Sequence, residues 1–195
     1  MSQPDTDPRA LLRVSTWDVD AFHSQVFVSV RHMGVTRLRA KLPKISGRLE
    51  VNASDPLRSS FQFEVDTGAV VTGHAPQEDF MRSESWLDAE HHPTLTFRSV
   101  SVEPRDGPGY LVRGDLTLRG VRRQVEIPLE FHGVIADGWG LRAGFTSQFT
   151  VDRTHFGITW NREFDWGVMA SRDMEVSLDI ELVHPDESLA QKSKG

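Results

Sequence analysis

Cysteine is absent from the 195 residues, which excludes disulfides, thiolate metal sites and a cysteine nucleophile. Long apolar runs are also missing, and none approaches the ~18 residues that a membrane-crossing helix needs. No run of Lys and Arg occurs, and 22 Lys+Arg against 28 Asp+Glu leave a formal charge of −6. An acidic chain without a basic run is a poor match for a phosphate backbone, so no nucleic-acid partner is expected. Tyrosine is nearly missing, 1 residue beside 11 Phe and 5 Trp, so the aromatic bulk is apolar and needs a place away from water. The opening residues MSQPDTDPRALLRVSTW contain no apolar segment of the secretory type. The expected compartment is the cytoplasm, without stable membrane insertion.

What is present is a period of two. Val125, Ile127, Leu129 and Phe131 alternate with Gln124, Glu126, Pro128 and Glu130. Leu141, Ala143, Phe145, Phe149 and Val151 oppose Arg142, Thr146, Gln148 and Thr150; Val176, Leu178, Ile180 and Leu182 oppose Glu175, Ser177, Asp179 and Glu181. This is the pattern of antiparallel strands with one dry face and one wet face. Pro128 falls within such a strand and requires an unpaired backbone position, an edge or a bulge. Further strands are expected at Gln25–His32, Thr36–Leu42, Gly47–Asn52, Phe61–Ala69 and Thr94–Val102, with glycine turns at 105–109, 118–121 and 137–140.

One stretch breaks the period. Residues 76–92 (PQEDFMRSESWLDAEHH) lack β-branched side chains and begin with a proline suited to a first helical turn. Ser85 and Asp88 have the spacing of a capping box, so two short helices or turns are expected before Pro93. The organisation expected is a polar arm at 1–14, one all-β domain at 15–185 and a polar tail at 186–195. Many antiparallel strands in one domain leave two solutions, a sandwich or a closed barrel.

Four segments carry a family resemblance. They are Trp17-Asp18-Val19-Asp20 with His23-Ser24-Gln25-Val26 and Val30-Arg31-His32-Met33-Gly34; Trp86 to Ser99 (WLDAEHHPTLTFRS); Gly114 to Val121 (GDLTLRGV); and Arg153 to Trp160 (RTHFGITW). Taken in order, they resemble the YceI-like family of polyisoprenoid-binding proteins. The resemblance implies a lipocalin-like, antiparallel up-and-down eight-stranded β-barrel with a short helical insertion near its mouth. It implies an interior that holds a long apolar chain, such as a polyisoprenoid, a quinone precursor or a fatty amide. The protein would then be a carrier that sequesters this lipid, with no catalytic residues and no cofactor. Pairing of family members through a strand or a barrel face makes a homodimer compatible with the resemblance. Phe27-Val28 and Arg39-Ala40-Lys41-Leu42 depart from the family pattern on strands that border the interior.

The candidate ligand contacts are the apolar stripe Val28, Val30, Phe63, Phe97, Leu116, Leu118, Phe145, Phe149, Phe156, Ile158 and Trp160. Phe80, Met81, Trp86 and Leu87 are added as an apolar cap over the barrel end, where the ligand is expected to enter. His32 is added as a mouth residue for a polar headgroup. The competing reading of the same stripe is a core filled by its own side chains, which would make the barrel a structural or interaction module. A third reading is an enzyme that acts on a lipid-like substrate through a mouth histidine. The histidines do not have metal-site spacing: His91 and His92 are consecutive and diverge on any regular element, and no HExxH is present. Ser24 beside His23 and Asp20 suggests a triad only superficially, because adjacent strand residues point apart, and no GxSxG occurs.

Overall fold

The structure, a computed structural model, describes residues 16–106, 109–136 and 140–185. The expected arm and tail lie outside these residues, as do the centres of two expected turns, at 107–108 and 137–139. In chain order the strands are β1 (Thr16–Val19), β2 (Gln25–His32), β3 (Thr36–Leu42), β4 (Ile45–Glu50), β5 (Ser60–Asp66), β6 (Thr94–Pro104), β7 (Gly109–Leu118), β8 (Val121–Ala136) and β9 (Gly140–Asp152). They are followed by a two-strand hairpin of β10 (Glu163–Phe164) and β11 (Gly167–Val168), then β12 (Ala170–Pro185). The helix α1 (Ala75–Arg82) lies between β5 and β6.

Ten strands form one antiparallel sheet in the order β1-β4-β5-β6-β7-β8-β9-β12-β2-β3, and pairing of β1 with β12 closes it. β12 is long enough to serve both β1, through Asp18↔Val183, and β2, through Val28↔Val176. β1 and β2 are thus two halves of one stave, and so are β3 and β4; ten strands become the eight staves of an up-and-down barrel. Closure leaves few sheet edges to protect. The outer edge of β3 is covered by a bridge to Val71, with Lys41 N to Val71 O at 2.8 Å and Val71 N to Lys41 O at 2.9 Å. Among the described residues no helix is long and apolar enough to cross a membrane.

The alternation read from the sequence sets the register. Leu141, Ala143, Ser147 and Val151 of β9 are buried and Phe145 and Phe149 are half-buried, while Gln148 and Thr150 are exposed. On β12, Met174, Leu178, Ile180 and Leu182 are buried. These faces point inward because each strand has only one dry side to offer.

Two backbone irregularities are satisfied by side chains. Between β1 and β2 the chain detours through residues 20–24, opposite Glu181. The Ser24 hydroxyl donates to Glu181 O at 3.2 Å and accepts from Glu181 N at 3.0 Å, so β12 keeps its partners across the detour. On β8, the ladder to β9 runs from Glu130↔Thr146 to Ala136↔Leu141. Pro128 lies just before this ladder begins, and its carbonyl accepts from Ser147 Oγ at 2.6 Å. The N–H and C=O of a strand residue share one side, so the N–H that proline lacks is one that would have faced β9.

The insertion forms one helix rather than two. Glu78 accepts from the N–H groups of Thr72 at 2.8 Å and Gly73 at 2.9 Å, which satisfies donors just ahead of the first turn. Those backbone bonds hold the Glu78 carboxyl below its ordinary pKa. Of the two short helices or turns expected, the first is this helix and the second is a run of turns. Asp88 takes a left-handed conformation, φ 48°, and its carboxylate binds His91 Nδ1 at 2.8 Å instead of capping a helix. Residues 84–87 and 89–91 form turns on either side of Asp88, because a residue at positive φ cannot continue a right-handed helix.

Candidate functional site

The barrel has a filled end and a hollow end. The hollow is a cavity of about 360 Å³. Its walls are Leu49, Phe61, Phe63, Phe97, Val102, Tyr110, Val112, Ile127, Leu129, Phe145, Leu178, Ile180 and Leu182, from seven of the strands. The loop between β4 and β5 supplies Val51, Asn52, Ala53, Ser54, Pro56 and Ser59 at the rim. No lining side chain carries a charge; the polar ones are Asn52, Ser54, Ser59 and the phenol of Tyr110.

The rim loop is held by its own side chains. Asn52 Oδ1 accepts from Ser54 N at 3.1 Å, Ser54 Oγ at 2.7 Å and Asp55 N at 3.1 Å, and Ser59 Oγ accepts from Asn52 N at 3.1 Å. Asp55 caps a short 3₁₀ turn at Pro56–Arg58. These bonds fix the loop in the manner of an Asx turn, so the rim has a defined shape.

Deeper in, Phe63 and Phe97 are register partners on β5 and β6, and their rings stack with centroids 5.2 Å apart and planes 20° from parallel. Each sits against a glycine on the next strand. A Cβ at Gly114 would stand 2.4 Å from Phe97 Cζ, and one at Gly47 would stand 2.9 Å from Phe63 Cβ. Gly114 leaves room for the Phe97 ring, and Gly47 lets the backbone of β5 that carries Phe63 approach closely. The rings form an aromatic floor between the hollow and the filled end.

Below the floor the barrel is packed. Trp86, Leu87, Leu116, Leu118, Phe156 and Ile158 are buried there. Phe80, Met81 and Trp160 are half-buried against them, with the Phe80 ring 4.8 Å from that of Trp160 and 6.1 Å from that of Trp86. Arg153 ties this end together. It is fully buried, and its guanidinium donates to Ile158 O at 2.6 Å, Ser171 O at 2.8 Å, Trp160 O at 3.0 Å and Ala170 O at 3.3 Å. It also lies 5.0 Å from the Trp86 ring, a cation–π distance. Burial lowers the Arg153 pKa, partly offset by the neighbouring Asp152. Arg119 crosses the same end, donating to Trp86 O at 3.1 Å and Gly157 O at 3.3 Å.

Of the residues proposed from sequence as ligand contacts, Phe63, Phe97 and Phe145 line the cavity. Leu116, Leu118, Phe156, Ile158, Trp160, Phe80, Met81, Trp86 and Leu87 are packed at the opposite end. Val30 is buried in β2, and Val28 and Phe149 flank Val176 in one half-buried row. His32 closes β2 beside Thr36 and Ala170, also at the filled end. The helical insertion therefore covers the filled end, and the cavity opens at the other, beside the 51–59 loop. The sequence did mark Ile127, Leu129, Leu178, Ile180 and Leu182 as an inward face. Leu49, Phe61, Val102, Tyr110 and the rim loop were not singled out; the solitary tyrosine was the available signal.

A second cluster lies on the barrel wall. Asp20, His23 and Glu181 bring ligand-type atoms within 4.8 Å of one another. Arg142 donates to Asp20 Oδ2 at 2.9 Å and also to Glu181 Oε1, so a guanidinium already supplies the positive charge there. Partial burial would raise the Asp20 pKa, but hydrogen bonds from His23, Arg142 and the N–H groups of Phe22 and His23 outweigh it and bring it to about 2. Ser24 is engaged with the Glu181 backbone, and His23 Nδ1 lies 2.8 Å from Asp20 Oδ2.

The chain matches the family described as YceI-like domain over residues 17–182. A UPF0312 protein of Pectobacterium atrosepticum is 30% identical over 173 residues, covering 88% of this chain and 87% of the relative. One from Ectopseudomonas mendocina is 33% identical over 165 residues, covering 84% of each. The crystal structure of Burkholderia cenocepacia BcnA superposes with a TM-score of 0.72 at 21% identity, covering 84% of this chain and 98% of that one. A polyisoprenoid binding domain from Saccharophagus degradans, implicated in plant cell wall breakdown, superposes with a TM-score of 0.66 at 14% identity, covering 87% and 98%.

Proposed function

Because this chain belongs to the YceI-like family, we propose that it is a binding protein that carries an apolar, lipid-like molecule in the cavity above the Phe63–Phe97 floor. The observation that carries this reading is the cavity itself, about 360 Å³ walled by aliphatic and aromatic side chains without a charged one. A mostly apolar hollow with a few polar groups at one end is the usual form of a small-molecule site. The structural likeness to the polyisoprenoid binding domain of Saccharophagus degradans supports a prenyl-type cargo.

The ligand orientation follows from the lining. Asn52, Ser54 and Ser59 stand at the rim, and the floor is aromatic. An apolar tail thus points inward, and a polar head stays by the rim, within the region of the Tyr110 hydroxyl. The rim offers the head hydrogen-bonding groups and the lining offers no counter-charge, which favours an uncharged head. Each methylene moved from water into the cavity contributes roughly 0.8 kcal/mol. A membrane offers the same gain, so exchange between membrane and barrel is close to balanced, which suits a carrier that must release its cargo.

The test is mass spectrometry of organic extracts from freshly purified protein, together with displacement of a fluorescent prenyl probe. A co-purifying neutral lipid and saturable probe binding are expected. Leu129→Trp, which places an indole in the hollow, should abolish probe binding while the barrel stays folded. Probe binding that is unchanged in this variant, or no binding by the wild type, would refute the carrier reading.

A further inference from the structure

We propose that the stacked rings of Phe63 and Phe97 gauge chain length, and that the cargo is a neutral lipid of medium length rather than a long polyprenyl. The proposal rests on the carrier reading and names what is carried. It begins from volume: a dry cavity of roughly 150 Å³ holds one benzene, so about 360 Å³ accommodates on the order of fifteen carbons. A long polyprenyl would need several times that space.

The floor cannot yield to a longer chain as a loose side chain could. The Phe97 ring lies in the notch at Gly114, the β5 backbone that carries Phe63 lies close against Gly47, and the two rings pack against each other. Nor is there space beyond them. Trp86, Leu118, Phe156 and Ile158 fill the barrel below the rings, and Arg153 holds that packing through four backbone carbonyls. The remaining direction for extra carbons is outward past the rim, into water, where they contribute no burial.

The experiment uses the full chain and the linear prenyl alcohols geraniol, farnesol, geranylgeraniol and geranylfarnesol, in order of increasing length, each displacing a fluorescent prenyl probe. Each buried methylene changes affinity by roughly fourfold, so affinity should rise at least tenfold from geraniol to farnesol. From farnesol onward it should change by less than about threefold, since the added carbons lie outside. Phe97→Ala removes part of the floor and should move the break to geranylgeraniol, tightening that alcohol about tenfold. Phe97→Leu is the second variant, giving a smaller shift in the same direction with less loss of packing, and thermal unfolding is followed for both. Affinity that keeps climbing through geranylfarnesol in the wild type overturns the gauge and leaves the carrier reading standing. So does a break that stays at farnesol in a folded Phe97 variant. If no alcohol of any length binds, the carrier reading fails and the gauge with it.

Discussion

The ring of Phe97 lies over the bare Cα of Gly114, where an added methyl group would stand 2.4 Å from Cζ and 2.6 Å from Cε2. The Arg98 carbonyl would be 2.4 Å away on the same side. Relief would require the strand to move as well as the ring. Gly114→Ala should therefore destabilise the barrel by about 1–3 kcal/mol, the usual cost of forcing extra volume into a packed interior. Urea unfolding checks this, and a change below about 0.5 kcal/mol, typical of a neutral surface site, would contradict the close approach.

Ser24 is expected to matter for stability and not for chemistry. Ser24→Ala leaves the Glu181 N–H without its acceptor, while Glu181 O keeps the N–H of Asp20 at 2.9 Å. A buried donor left unpaired costs roughly 1–3 kcal/mol. Hydrogen exchange should show the loss concentrated at the junction of β1, β2 and β12.

Arg153 is the main polar tie of the filled end. Arg153→Leu removes the guanidinium and leaves the carbonyls of Ile158, Trp160, Ala170 and Ser171 without it. A loss of about 3–5 kcal/mol is expected, because a buried acceptor left unpaired costs roughly 1–3 kcal/mol and among the described residues only Ala170 O keeps another side-chain donor, Asn161 Nδ2 at 2.7 Å. Arg153→Lys should recover only part, since an ammonium has three donors and no planar fork. Equal stability of the Lys variant and the wild type in denaturant titrations would count against this account.

Two titrations shape the pH dependence in opposite senses. The Asp20 carboxyl is depressed from 3.8 to about 2 in the folded barrel. Its contribution is complete above the ordinary value and disappears as pH falls through about 2. Asp20→Asn should flatten the acid limb of the stability curve. The pKa of His91 is raised above 6.5, chiefly by its hydrogen bond to the Asp88 carboxylate. Its contribution is complete below 6.5 and is lost as pH climbs through the raised value. His91→Gln should remove that decline in thermal unfolding measured from neutral to mildly alkaline pH.

The sequence was informative where one strand decides the outcome. Alternation in β9 and β12 gave the inward faces, and the loss of period at residues 76–92 located the insertion. Pro128 required an unpaired position, and the end of the β8–β9 ladder provides one. Two features were not legible. The capping-box spacing of Ser85 and Asp88 is local, whereas Asp88 is committed to His91 and to a left-handed turn. The position of the cavity depends on volumes contributed by seven strands at once. Period-two patterning tells inside from outside but is silent about which end of a barrel is hollow. Apolar residues in the insertion therefore read equally well as a lid over a ligand and as a plug, and the packing of Trp86 with Phe80 and Arg153 makes them a plug.

The β8–β9 seam has a consequence for solubility. Among the described residues, Val121–Leu129 of β8 have β7 as their strand partner and no ladder to β9. This stretch of β8 is thus a strand edge in a nominally edgeless barrel, on which a foreign strand could assemble. The chain places Arg122, Arg123, Glu126 and Pro128 along that edge, with the first three exposed. Charge and proline are the means by which natural sheets repel such pairing. Neutralising this stretch should leave the barrel's unfolding midpoint nearly unchanged and raise its tendency to form fibrils on prolonged incubation.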